Sequence, residues 1–198
     1  MDFKFDLARF INFRDQEALD RVRAIKKEDY TKHPNPDFKI KIIESKDQFY
    51  IEFALDLVTR IRTALEEGRD FVGILPVGPV PQYEIAARII NEFQIPCHHV
   101  HCFNMDEYAD EEGNTAPAQW AGSFQMAMQR NLIEKIDPKL RPPANQIYFP
   151  TKDILQDYGK MIDDLGGADV CYGGIGWCGH IAFWEAHIGL EFGDDIES

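Results

Sequence analysis

The chain has 198 residues, with 21 lysines and arginines against 34 aspartates and glutamates, a formal net charge of −13 at pH 7. That acidity excludes a nucleic-acid binder working through a basic stripe, and a polybasic membrane anchor. Apolar residues at 44% and charged residues at 28% describe a soluble globular chain with material for a sizeable core, and no run approaches the about 18 apolar residues of a spanning helix.

The start, MDFKFDLARF, is charged throughout and lacks the apolar centre of a signal peptide. Four cysteines, Cys97, Cys102, Cys171 and Cys178, do not make a disulfide framework in a chain this long. The expectation is a cytoplasmic protein with reduced thiols. Residues 1–36 read as a charged, helical N-terminal extension, and residues 37–198 as an α/β domain. Within the extension, Ala18, Leu19, Val22 and Ile25 form a narrow stripe at helical spacing over Asp15 to Lys27. Phe3, Phe5, Phe10 and Phe13 read as a docking or oligomer segment, consistent with a homo-oligomer. His33-Pro34-Asn35-Pro36 breaks the helix and links it to the α/β domain.

From there strand and helix alternate. Phe38 to Ile43 alternates lysine with phenylalanine or isoleucine, as a strand with one polar face does. Ser45 and Gln48 form a capping box that opens a long helix ending at Gly68. Phe71 to Val77 is a continuous apolar run, the pattern of a buried parallel strand. Pro81 suits the first position of a helix running to Phe93. His98 to Phe103 predicts a strand, Gln119 to Ile136 a helix, Gln146 to Phe149 a strand and Asp153 to Leu165 a helix. Val170 to Tyr172 enters a Gly-rich loop, and Ile181 to Ala186 begins another helix. About five alternations predict a doubly wound, mainly parallel α/β sheet flanked by helices, with ligands bound outside the carboxyl ends of the strands.

That rule selects three loops: Gly78–Pro81, Asn104–Asp110 and Gly173–His180. In the second, Asp106 and Glu107 are adjacent carboxylates just past a buried strand. Partial desolvation would raise a carboxylate toward the pKa of a base able to take a proton beside a carbonyl. The alternative has Asp106 capping a turn and Glu107 solvated. In the third, Gly173, Gly174 and Gly176 precede Trp177, and Gly179 precedes His180. Those glycines let the backbone approach a ligand closely. Histidine is the residue type suited to protonate and deprotonate a sugar ring oxygen and hydroxyl, and Glu185, five residues after His180, is able to orient its ring. Alternatively His180 is a helix-start residue bonded to backbone.

Phe103-Asn104-Met105-Asp106-Glu107-Tyr108, together with Gly173-Gly174-Ile175-Gly176 and Gly179-His180-Ile181-Ala182-Phe183, resembles the glucosamine-6-phosphate deaminase (isomerase) family over about residues 38–190. The resemblance implies the sugar-phosphate isomerase type of α/β fold and a small-molecule sugar-phosphate substrate, with no metal and no organic cofactor. It implies ring opening of an amino-sugar 6-phosphate, proton transfer from C2 to C1, and release of ammonia to leave a ketose phosphate. Asp106 matches the proton-transfer base, His180 the ring-opening acid/base and Glu185 its supporting carboxylate. Gly78, Val80, Glu107, Gly174, Gly176, Cys178 and Gly179 fall at substrate-binding positions. The family continues further past the histidine helix, so a C-terminal part beyond Ser198 is expected to be missing.

Two departures stand out. Where the family has an aspartate two residues before the histidine, this chain has Cys178, a mostly neutral thiol that supplies little charge to hold an imidazolium. A cysteine nucleophile activated by His180 is the other use of that spacing. Where the family carries a hydroxyl-rich phosphate loop, this chain has Val77-Gly78-Pro79-Val80-Pro81. Both hydroxyls are gone and Pro79 has no N–H, removing charge-assisted bonds each worth about 1.5–3 kcal/mol. A non-catalytic or repurposed sugar-binding protein on the same scaffold is therefore the competing expectation, and sugar-lactone hydrolysis on a related fold a third. Cys97-His98-His99-Val100-His101-Cys102 is a zinc-like run, but a core strand accounts for it better. Trp120, Phe124, Met126 and Met128 are expected in core or subunit contacts.

Overall fold

The computed structural model describes residues 16–176 and His180. Ser45–Gly174 form one compact unit, and the described residues on either side, 16–44 with 175, 176 and 180, group in a second. In the second unit the stripe over Asp15 to Lys27 forms a shorter helix, α1, over Gln16–Arg23. The alternating run Phe38 to Ile43 is not a strand. No described segment pairs with it, and Phe38 and Ile42 are 57% and 48% exposed. A period of two lays out two faces, but without a ladder partner it leaves the backbone merely extended.

The first unit begins at Ser45, whose Oγ accepts the Gln48 N–H at 3.3 Å and caps α2, Lys46–Glu66. The reciprocal half of the expected box is absent, because the Gln48 side chain donates to Glu52 at 3.0 Å instead. Ala54, Leu57, Val58, Ile61 and Ala64 are its buried stripe. Gly68, at φ +69°, ends it in a Schellman motif, with Gly68 N bonded to Leu65 O and Arg69 N to Ala64 O. The same pair of bonds ends α3, Pro81–Glu92, around Gln94 (φ 50°), and α5, Tyr158–Asp164, around Gly166. Between Ser123, whose Oγ accepts from Met126 N, and Leu132 lies α4, Phe124–Asn131. It is shorter than the expected Gln119 to Ile136. Residues 117–123 are turns, and a 3₁₀ turn at Ile133–Lys135 comes after it.

Four parallel strands, β1 (Phe71–Leu75), β2 (Val100–Asn104), β3 (Ile147–Tyr148) and β4 (Val170–Cys171), lie in the order β3-β2-β1-β4. The chain thus moves outward from β1 to β3 and then crosses back to β4, so the order reverses between β1 and β4. The side chains of β2 alternate as a two-faced strand must. Val100 and Cys102 face the layer of α2 and α3, while Phe103 stacks on Tyr148 (4.3 Å) and meets Tyr158 of α5 edge-on (5.3 Å). At Gly73, in the centre of β1, a Cβ would come within 2.8 Å of the Phe71 ring, which would have to shift. Among the described residues no helix is long and apolar enough to cross a membrane.

Candidate functional site

In an open parallel sheet the crevice lies where the strand order reverses, at the carboxyl ends, because the flanking loops diverge to opposite faces there. In this molecule that is the end of β1 beside β4. Two backbone bonds tie the loops to it: Met105 N to Leu75 O (2.9 Å) and Tyr172 N to Ile74 O (3.0 Å). The Tyr83 hydroxyl donates to the Pro76 carbonyl. Loops two and three also meet through side chains, since a methyl on Gly173 would touch Met105 Cε at 3.9 Å.

An aromatic buttress stands behind this end. The Phe53 ring contacts Tyr83 edge-on at 6.1 Å and Tyr172 at 4.4 Å. The Tyr172 hydroxyl donates to Asp56 at 2.5 Å, and Arg60 donates to the same oxygen at 2.8 Å. Burial raises the Asp56 pKa, but the bonds from Arg60 and Tyr172 outweigh it and hold the carboxyl below its usual range. Burial and the bond to Asp56 push Tyr172 well above the ordinary tyrosine range. Tyr83 is also raised well above that range, by burial first and then by the fields of Cys102, Tyr172 and Asp106. Both phenols remain neutral donors at any working pH.

Asp106 is half-buried, two residues past β2. Glu107, expected among the substrate-binding residues or else in solvent, is committed elsewhere. Its Oε1 accepts from Phe124 N (3.0 Å), and its Oε2 accepts from Ser123 Oγ and Gln125 N (both 2.9 Å). A carboxylate across the first N–H groups of α4 satisfies donors that a helix start leaves unpaired. Glu107 thus pins the loop to the start of α4.

In the first loop Gly78 and Pro79 are exposed, and Val80 precedes α3 without a side-chain cap. Gly174 is exposed. In the second unit Gly176 donates its N–H to the His180 carbonyl at 2.8 Å, and the imidazole lies so close over Gly176 that no Cβ fits there. His180 is half-buried. Cys178, Gly179, Glu185 and the helix expected over Ile181 to Ala186 lie outside the described residues.

The zinc-like run disperses. His99 Nε2 pairs with Ile61 O (2.9 Å), while His101 contacts Tyr148 Oη (3.3 Å) and Gln146 Nε2 (2.7 Å). Cys97 and Cys102 line an apolar cavity of about 20 Å³ under the sheet, with burial pushing both thiols up to about 12. Met128 is buried as expected, while Trp120 is 50% exposed and leans edge-on against Tyr108.

Sequence reasoning passed over Tyr83, Tyr172, Asn104 and Gln82. Only Gln82 had a legible signal, a polar residue in register with Ala86 and Ile90 on the apolar face of α3.

Order reversal and strand-end loops define the class: a doubly wound, mainly parallel α/β sheet. Solved structures share it. A monomeric glucosamine-6-phosphate deaminase aligns at a TM-score of 0.63 and 21% identity, over 74% of this chain and 58% of that one. A 6-phosphogluconolactonase from Thermotoga maritima aligns at 0.55 and 22% identity, over 74% and 64%. These likenesses carry the fold alone. No family model matches the chain.

In sequence the chain is similar to glucosamine-6-phosphate deaminases. It is 36% identical over 152 residues to the enzyme of Caenorhabditis elegans, covering 73% of this chain and 54% of that protein. It is 30% identical over 151 residues to that of Phocaeicola vulgatus, covering 73% and 55%. The chain spans about half the length of these relatives.

Proposed function

We propose that the chain is an amino-sugar-phosphate isomerase/deaminase, converting an amino-sugar 6-phosphate to a ketose phosphate with release of ammonia. What supports this reading is that Asp106 is half-buried two residues past the carboxyl end of β2, the strand paired with β1, with Glu107 holding its loop to α4. His180 opens the ring by moving a proton between the ring oxygen and the C1 hydroxyl, and Glu185 orients it. Asp106 then takes the C2 proton and returns it to C1. The resulting C2 imine takes up water and loses ammonia. Acid–base chemistry suffices for each step, so no metal or organic cofactor enters.

Cys178 replaces a charged partner of the histidine by a neutral thiol, which leaves Glu185 as its main tuning group. Purified full-length chain supplied with glucosamine 6-phosphate is expected to release ammonia and ketose in equal amounts. Asp106→Asn is expected to lower that rate about 10²–10⁴-fold. No turnover by the wild-type chain at millimolar substrate sinks the reading.

One observation favours a second reading, sugar binding without turnover. The first loop offers neither hydroxyl nor Pro79 N–H to a phosphate. Stabilisation by neutral sugars with no product formed would select it.

A further inference from the structure

Four buried side-chain atoms among the described residues have no hydrogen-bond partner: Gln82 Nε2, Gln82 Oε1, His99 Nδ1 and Asn104 Oδ1. Three of the four stand at the carboxyl end of the sheet. Gln82 is the second residue of α3 and is 0% exposed. It lies on the same buried face as Ala86 and Ile90, toward the sheet. Helical side chains lean back toward the N-terminus, which aims the amide at the turn 78–80 and the end of β1. The amide also lies near the Tyr83 hydroxyl, which donates to Pro76 O at the end of β1, and its interaction there partly offsets the rise in that group's pKa. Asn104 closes β2 in register with Leu75 and is 0% exposed. Its Nδ2 donates to Tyr148 O at 2.8 Å and lies 4.0 Å from Cys102 Sγ, on the α3 side, while Oδ1 is left over.

An orphaned buried amide is destabilising, by about 1–3 kcal/mol for each unsatisfied group, and an apolar residue of the same size would relieve it. An unpaired amide at the ligand end of a sheet is available to a group that arrives with the ligand. A carboxamide has one donor group and one acceptor. A phosphate dianion satisfies only the donor and repels the oxygen, whereas a hydroxyl both accepts and donates.

We propose that Gln82 is a specificity-determining residue that hydrogen-bonds a sugar hydroxyl, where a hydroxyl-lined loop would hold an anion. This deepens the sugar reading above and rests on it. Binding displaces the turn before α3, whose Gly78 and Pro79 are exposed, and the ligand hydroxyl takes both amide atoms.

The test is calorimetric titration of full-length wild-type and Gln82→Leu protein with glucosamine, glucosamine 6-phosphate and inorganic phosphate. The variant is expected to bind both sugars about tenfold more weakly and inorganic phosphate unchanged. Its ligand-free Tm is expected to rise by roughly 2–4 °C. Unchanged sugar affinity, weakening confined to the phosphate-bearing ligands, or a lower Tm overturns the inference while leaving the sugar reading intact. A wild-type chain that binds neither sugar overturns both. Gln82→Met, unbranched and of equal length, repeats the comparison should the leucine variant fail to fold.

Discussion

His101 is 9% exposed and held between the Tyr148 hydroxyl and the Gln146 amide, with a stacked Tyr148 ring at 6.2 Å. Burial lowers its pKa below the ordinary histidine value. Asp70, 3.8 Å from Nε2, opposes that, and His99 reinforces it. The folded protein therefore binds this proton less readily than the unfolded chain. The stability associated with neutral His101 is complete above the unfolded value of about 6.5 and is lost as pH falls through the depressed folded value. Thermal melts of wild-type and His101→Gln protein from pH 7.5 to 5 should converge as pH falls, because the variant lacks this increment. Parallel curves would contradict the assignment. Strand alternation puts His98 on the opposite face from His99 and His101, but nothing in the sequence singled out His101 from His99. What separates those two is the neighbour each meets, Ile61 O for His99 and Tyr148 with Gln146 for His101, which alternation alone does not assign.

At the scale of elements, α4 shows how a distant residue sets a boundary. Apolar spacing from Gln119 suggested a helix from that point, yet the helix starts at Phe124. The start is fixed where Ser123 and Glu107 together occupy its first N–H groups. No local window contains Glu107, 17 residues upstream of Phe124. Glu107→Ala removes the charge-assisted bonds that hold both the loop and the helix start, and a destabilisation of about 2–3 kcal/mol is expected. Chemical denaturation measures it, and a loss below about 0.5 kcal/mol would return Glu107 to a solvent or ligand role. By contrast, the ends of α2 and the start of α3 were legible, because Ser45, Gly68 and Pro81 act through their own backbone neighbours.

For the whole molecule, alternation of apolar runs and amphipathic stretches was sufficient to forecast a parallel sheet. The order β3-β2-β1-β4 was not forecast, since connection length does not say to which side a strand crosses. Phe38 to Ile43 shows the converse limit, a strand-like pattern with no pairing partner among the described residues. The family motifs located Asp106 correctly at a strand end, because FNMDEY begins inside β2 and leaves it within two residues. The unsatisfied amide of Gln82 could not be read from pattern alone, because its lack of a partner is a property of packing.

The central claim is that Asp106 carries a proton between adjacent sugar carbons. Glucosamine 6-phosphate should be incubated with full-length protein in heavy water, and the ketose product examined by NMR. A base that exchanges with solvent between the two steps leaves deuterium on C1, and Asp106→Asn should abolish both product and label. Product formed at an undiminished rate by Asp106→Asn would contradict the account.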